Sequence, residues 1–238
     1  MNGLILFLGE SFRLGGQCNR NRGSPQSYDQ QMKACKSHID FIENTITKFN
    51  MNSISVFISS YTTQYDSDLL SIYKKYCIGN DLYPHVIGIN NLFHNTINKI
   101  PNIENYDFIL FIRIDLYLKE HFINVFNPTI NMILFPTICW KHDSRCGNHP
   151  RVNDVIIFIP KKYYNYLDKI FVHTQHNSWY DLMNTTDLTY NDMDTMIHTY
   201  HDSDSYKDFN PLYYIVNRPE CMVFHSEGYI FDKHNFKS

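Results

Sequence analysis

Short, almost unbroken apolar runs alternate along this chain with longer stretches whose apolar residues recur three or four positions apart. The first run, Leu4 to Leu8, reads as a buried strand ending at Gly9. A polar loop follows. Pro25 and Ser27 then open a helix in which Ser27 and Gln30 are spaced as a capping box. Its stripe of Met32, Cys35, Ile39, Ile42, Ile46 and Phe49 suits packing on a sheet. Ser53 to Ser59 predicts a second strand, and Leu69, Ile72, Tyr73 and Tyr76 a second helical face that stops near Gly79. His85 to Ile89 predicts a third strand, Phe93, Ile97 and Ile100 a short helix, and Phe108 to Ile114 a fourth strand.

The resulting βαβαβαβ order implies parallel strands joined by helical crossovers, and a run as apolar as FILFI fits a central strand covered on both faces. Beyond Asp115 the pattern turns α+β and more polar. It predicts a helix around Lys119 to Phe126, strands at Met132 to Phe135 and Val155 to Ile159, and a helix from Lys161 to Val172. Helical stretches at Trp179 to Met183 and Asp192 to Tyr200 precede strands near Leu212 to Val216 and Met222 to Phe224. No repeat, low-complexity tract or linker interrupts the chain. The expectation is one α/β domain with a Rossmann-like, mostly parallel sheet and helices on both faces. Residues 1–118 form its first half and 119–238 its second.

Composition narrows the partners. The 238 residues are 43% hydrophobic, enough for a sizeable core, and 21 basic against 24 acidic residues leave a net charge of −3. Capture of a nucleic acid or an anionic membrane surface by bulk charge is not expected. Leu4 to Leu8 is too short for a membrane span and lacks a basic flank, so the chain is expected to begin at Met1 without a leader. Six dispersed cysteines, with Cys35 and Cys77 on predicted helical faces, suggest reduced thiols and a cytoplasmic setting, the host cytoplasm if the protein is viral. A single alanine, Ala34, amid abundant Ile and Asn looks like the signature of AT-rich coding DNA.

In an open parallel sheet, ligands bind beyond the carboxyl ends of the strands. Two of those ends carry charge here. Gly9-Glu10-Ser11-Phe12-Arg13 combines a glycine that permits close backbone approach with an arginine suited to a phosphate; it also reads as an ordinary surface turn. Arg113-Ile114-Asp115 sets two charges on one side of the most apolar strand. That pair is either a structural ion pair or a site for diphosphate and a divalent metal, since a hard carboxylate oxygen suits Mg²⁺ or Mn²⁺.

With these residues in place, the chain resembles nucleotide-sugar-dependent glycosyltransferases of the GT-A fold, including the short ones encoded by large DNA viruses. In that family a βαβαβαβ nucleotide-binding half ends in an Asp-x-Asp motif whose last Asp ligates the metal on the diphosphate. Arg113-Ile114-Asp115 occupies that place, with Arg113 where the first Asp would stand, a residue that can itself neutralise phosphate. The resemblance covers roughly residues 1 to 160 and also includes Gly9 to Arg13 and Val152-Asn153-Asp154-Val155. It implies a GT-A-like domain with an acceptor-binding second half, and transfer of a hexose or deoxyhexose from a nucleoside-diphosphate sugar to a glycan or small-molecule acceptor. It further implies Mn²⁺ or Mg²⁺ on Asp115, nucleotide contacts from Gly9, Glu10, Ser11, Arg13 and Arg113, and a second metal ligand in His225 or His234. Asp154 is the first candidate for the general base, with Glu227, Asp192 and Asp194 behind it.

Trp140, Trp179 and Tyr180 suit stacking on sugar rings or burial in the core. Cys139, His142, Cys146 and His149 offer four zinc-type ligands at a spacing that matches no common zinc motif. Two other readings therefore stay open: a non-catalytic nucleotide- or carbohydrate-binding module, and a zinc-stabilised interaction domain. No phosphate-binding P-loop, Gly-x-Gly-x-x-Gly, Gly-x-Ser-x-Gly or His-Glu-x-x-His occurs, which argues against NTPase, dinucleotide-binding, hydrolase and zincin chemistry.

Overall fold

The computed structural model describes residues 1–15, 21–135, 138–139, 151–152, 155–173, 182–183, 185–189, 191–195, 198–199 and 213–215. The elements in chain order are β1 (Asn2–Leu8), β2 (Arg13–Leu14), β3 (Asn21–Arg22), α1 (Pro25–Phe49), β4 (Ser53–Tyr61), α2 (Asp66–Tyr73), β5 (Cys77–Tyr83), α3 (Ile89–Lys99), β6 (Phe108–Arg113) and β7 (Leu116–Leu118). They continue with α4 (Glu120–Val125), β8 (Ile133–Phe135), β9 (Ile138–Cys139), β10 (Arg151–Val152), β11 (Ile156–Pro160), α5 (Leu167–His173), β12 (Met193–Thr195), β13 (His198–Thr199) and β14 (Tyr213–Ile215).

Among the described residues seven strands form the main sheet, in the order β12-β8-β11-β6-β1-β4-β5. β1 pairs in parallel with both β4 and β6, while β11 runs antiparallel to β6 and β8 and is the one strand that opposes the rest. The sheet is mostly parallel, as the alternation of runs predicts. Burial explains the runs. β1 and β6 alternate their side chains between two cores, so both strands must be apolar at nearly every position. Ile5, Phe7, Leu110 and Ile112 face a core shared with α1 and α2. Leu4, Leu6, Ile109 and Phe111 face one shared with α3 and α5. Helices therefore cover both faces.

The order also fixes a switch point. From β1 the chain moves outward through β4 to β5, then returns to the other side of β1 as β6. α1 carries the chain from β1 to β4 over one face and α3 returns it to β6 over the other; in open α/β sheets such a reversal, beyond the carboxyl ends of the two strands, is where ligands are held.

α1 departs from its predicted details. Ser24, not Ser27, precedes the first turn, Pro25 fills the N1 position, and the Ser27 hydroxyl donates to the Ser24 carbonyl at 2.7 Å, so no capping box forms. At the other end Asn50 takes a left-handed conformation and Met51 N–H closes on Ile46. The buried face is rotated from the apolar stripe: Gln31, Ala34, Ser37, His38, Phe41 and Thr45 point inward, while Met32, Ile39, Ile46 and Phe49 are only partly buried. Its polar members hold the segment after β6. Ser37 Oγ accepts Leu118 N–H at 3.0 Å, and His38 Nε2 lies 2.6 Å from the Leu116 carbonyl.

Three other expectations are corrected. The third strand is β5, not His85 to Ile89, and Cys77 belongs to it rather than to a helix. β5 is an edge strand, which tolerates polar residues, and Gly79 lies beneath Phe57, where a Cβ would come within 2.6 Å of the ring. Gly79 thus allows a strand contact and does not stop a helix. Asp192 to Tyr200 contains β12 and β13, because pairing with β8 and β9 overrides the helical spacing. Lys161–Tyr166 is a 3₁₀ turn ahead of α5. The helix expected from Trp179 and the strand expected at Met222 to Phe224 lie wholly or mostly outside the described residues.

His38 is fully buried and stacks on Phe7 at 4.3 Å. A carbonyl can only accept, so Nε2 carries the proton toward Leu116, and Nδ1 accepts from Tyr73 OH at 2.6 Å. Desolvation pushes its pKa down to about 3, against the pull of the Leu116 carbonyl and Asp115. An unfolded histidine takes its proton near 6.5, so between these values the unfolded chain binds more protons and stability falls as pH drops. Urea unfolding at pH 7 and pH 5 should show a loss of about 2 kcal/mol from this group. His38→Phe, though less stable at both pH values, should lack that increment; an unchanged pH dependence would contradict the assignment.

Candidate functional site

At the carboxyl end of β1, Gly9 leaves the strand at φ 121°, a conformation that favours glycine, and its N–H bonds the Ser59 carbonyl at 3.1 Å. Ser11 is tied to β4, its N–H 3.2 Å and its Oγ 2.9 Å from Ser60 Oγ. Phe12 is left-handed at φ 48°, unusual for an aromatic residue, and is held there by Tyr28 and Tyr65 rings at 5.7 and 5.0 Å. This turn is a packed, strained structure rather than a loose surface loop.

Its charged residues are buried. Arg13, 4% exposed, donates from Nε to the Gly15 carbonyl at 3.0 Å and lies 3.4 Å from Glu10. Arg22 stands opposite Arg13 across the β2–β3 hairpin, with its guanidinium 5.3 Å from the Tyr61 ring centre at the end of β4. Nη1 of Arg22 is buried without a hydrogen-bond partner among the described residues.

The second turn adjoins the first. Arg113 is in register with Leu8, and Ile114 N–H bonds the Leu8 carbonyl at 2.9 Å. Arg113 and Asp115 form a two-pronged ion pair, Nε to Oδ1 at 3.0 Å and Nη2 to Oδ2 at 2.6 Å, with side chains 14% and 2% exposed. One α1 side chain joins both turns: Gln31 accepts Phe12 N–H at 3.2 Å and donates to the Ile114 carbonyl at 2.7 Å.

The fold therefore gathers Gly9, Glu10, Ser11, Arg13, Arg113 and Asp115 at one edge. Asp154, Glu227 and His225 lie outside the described residues, as do His234, Trp140, Trp179, Tyr180 and three of the four zinc-type ligands. The residue after Asp154 is at this edge, however, since the Val155 carbonyl accepts Arg113 N–H at 2.9 Å. Asp192 is not at this edge. It precedes β12 at the opposite, amino edge and accepts from Thr189 and from Tyr163 OH, which holds its carboxyl below the usual range. A cavity of about 610 Å³ opens at that same far edge, beside Met1, Asp107 and Lys161, away from both turns.

Arg22 and Gln31 have no place in the expectations drawn from the chain. Arg22 belongs to a two-residue strand with no hydrophobic pattern, and only the proximity of Pro25 hints that it sits at a helix entrance. Gln31 is a polar residue inside a predicted apolar helix; its signal is that it falls on the buried side one position before Met32.

The donor set bears on a metal. Both Asp115 oxygens already hold guanidinium N–H groups, and among the described residues no three His, Cys, Asp or Glu side chains gather around one point. What the edge offers is buried guanidinium groups held in fixed orientations by neighbouring carboxylates.

No protein-family model and no curated protein matches the chain. Solved structures do resemble it. The glycosyltransferase GlyE of Streptococcus pneumoniae TIGR4 is 8% identical with a TM-score of 0.41, over 82% of this chain and 44% of that one. A glycosyltransferase involved in the glycosylation of the major capsid of PBCV-1 is 8% identical with a TM-score of 0.39, over 83% and 80%. HddC from Yersinia pseudotuberculosis is 11% identical with a TM-score of 0.46, over 97% and 100%. This chain thus spans less than half of the GlyE chain. The functional argument rests on the two turns themselves.

Two substitutions test how these turns are held. Asp115→Asn keeps volume but strands the Arg113 charge, and should lower unfolding free energy by about 3–5 kcal/mol. Gln31→Leu should cost about 1–3 kcal/mol for each of the two backbone groups it leaves unpaired. Chemical denaturation near wild-type stability for both would show that the turns are held by something else.

Proposed function

We propose that this protein is a glycosyltransferase that moves a hexose or deoxyhexose from a nucleoside-diphosphate sugar to a glycan or small-molecule acceptor. One observation carries the reading: the switch point of the sheet holds two arginine–carboxylate pairs, Arg13 with Glu10 and Arg113 with Asp115, on turns joined by Gln31. Open α/β sheets bind ligands at this place, and the chemistry there suits a diphosphate.

In the reaction the bond from the anomeric carbon to the diphosphate oxygen breaks, and negative charge grows on the departing nucleoside diphosphate. Guanidinium groups fixed in a partly dry crevice stabilise that charge without reorganising as it forms. Glu10 and Asp115 orient the guanidinium groups, and Gly9 and Ser11 shape the backbone that faces the nucleotide. An acceptor hydroxyl forms the new bond to the anomeric carbon and gives up its proton to a general base. Asp154 is our candidate for that base, supported by the bond from Arg113 to the neighbouring Val155; Glu227 is the second candidate. No step here depends on a metal.

Incubation with a panel of sugar nucleotides tests the reading through release of nucleoside diphosphate. Turnover above the uncatalysed background is expected, and a protein that binds a sugar nucleotide without turning it over would be a binding module instead. Removing the first pair without stranding either charge, by Glu10→Gln with Arg13→Ala, should weaken nucleoside diphosphate binding by about 1–3 kcal/mol in calorimetry. Unchanged affinity would take the first turn out of the site.

A further inference from the structure

Gln31, Cys35 and His38 follow one another four and three residues apart on the inward face of α1, and Tyr73 reaches them from the end of α2. All four are fully buried, and their polar groups form one hydrogen-bonded chain. Gln31 Nε2 lies 3.6 Å from Cys35 Sγ, the Cys35 thiol is bonded to the Tyr73 hydroxyl, and Tyr73 OH lies 2.6 Å from His38 Nδ1. The far end fixes the direction. His38 gives its Nε2 proton to the Leu116 carbonyl, so Nδ1 takes the one proton of Tyr73. Tyr73 can then only accept from Cys35, and the Cys35 sulfur accepts from the Gln31 amide. Every bond donates the same way, an order in which each strengthens the next.

Both ends of this chain close on the backbone around Asp115. Gln31 also donates to the Ile114 carbonyl at 2.7 Å, and His38 to the Leu116 carbonyl at 2.6 Å, so the residues before and after Asp115 are each held by α1. Ile114 N–H is tied to Leu8 as well. The direction of a side chain follows from the backbone that carries it, and these bonds aim the Asp115 carboxylate at Arg113. Gln31 Oε1 accepts Phe12 N–H, which brings the turn after β1 into the same chain. Satisfied networks of this kind rigidify what they hold.

We propose that Gln31 and His38 are positioning residues of the nucleotide site, kept in place by Cys35 and Tyr73. They act through Asp115 and Arg113, and because Gln31 also holds Phe12, the turns after β1 and β6 meet the ligand as one unit. The proposal rests on the nucleoside-diphosphate reading above. It gives a part in binding to side chains inside the core that the ligand never touches.

Calorimetry with UDP, GDP, CDP, ADP and dTDP, each with Mg²⁺, identifies the diphosphate that the wild-type protein binds, and variants are compared on that one. Gln31→Met keeps the length of the side chain and removes its polar bonds, and should weaken binding about tenfold. Gln31→Glu at about pH 5.5, where burial keeps the carboxyl protonated, can again accept from Phe12 and donate to Ile114; it should bind within about threefold of wild type at that pH. Wild-type affinity in Gln31→Met, or a Gln31→Glu protein as weak as Gln31→Met, would overturn the proposal and leave the nucleotide reading standing. Failure of every diphosphate to bind the wild type would overturn both.

A measurement on the wild-type protein does not depend on any variant folding. In NMR spectra the ring N–H resonance of His38, at the far end of the chain, should shift as the diphosphate is titrated, with the affinity that calorimetry gives. A resonance that stays fixed at saturation would overturn the link from the two turns to the chain.

Discussion

The side-chain amide of Gln31 accepts from the turn after β1 and donates to the turn after β6, so both turns hang from one residue inside α1. The rest of the edge follows from that span. Ile114 is also tied to Leu8, Ser37 and His38 secure the chain as far as Leu118, and Arg113 and Asp115 lie between these anchors. A helix whose inner face were wholly apolar would pack as well against the sheet but would leave these backbone groups unpaired. The polar residues on α1 therefore trade some burial of apolar surface for control over where two arginines point.

That arrangement costs stability. Buried ion pairs seldom repay their desolvation, and a left-handed aromatic such as Phe12 adds backbone strain. Apolar residues in place of Arg113 and Asp115 would fill the same space with less penalty. A site that must meet a dianionic or trianionic ligand has reason to retain them, because charges already fixed in place need no reorganisation when the ligand arrives. Function and fold meet in the same few side chains.

Much of the first half was legible in the chain. Leu4 to Leu8 and Phe108 to Ile112 are apolar because each strand is covered on both faces, and a strand buried in this way has little choice of residue. The position of Arg113 and Asp115 at the end of such a strand was enough to place them at the carboxyl edge of the sheet. Edge strand β5 was hidden because half-exposed strands carry polar residues and Gly79 imitates a helix stop. The inward face of α1 was misread because Gln31, Ser37 and His38 are polar by type and buried by partnership, a pairing with distant backbone that local periodicity does not encode. Arg22 was missed for the same reason: it gains meaning only through its place opposite Arg13.

The central claim is that the ligand lies across the ends of β1 and β6 where Gln31 joins them. Hydrogen–deuterium exchange with and without a bound nucleoside diphosphate or sugar nucleotide tests this most directly. The account predicts slowed exchange in peptides covering Gly9 to Arg13 and Arg113 to Leu116, with little change at the far edge around Asp107 and Lys161. Protection at that far edge, with both turns unaffected, would contradict it.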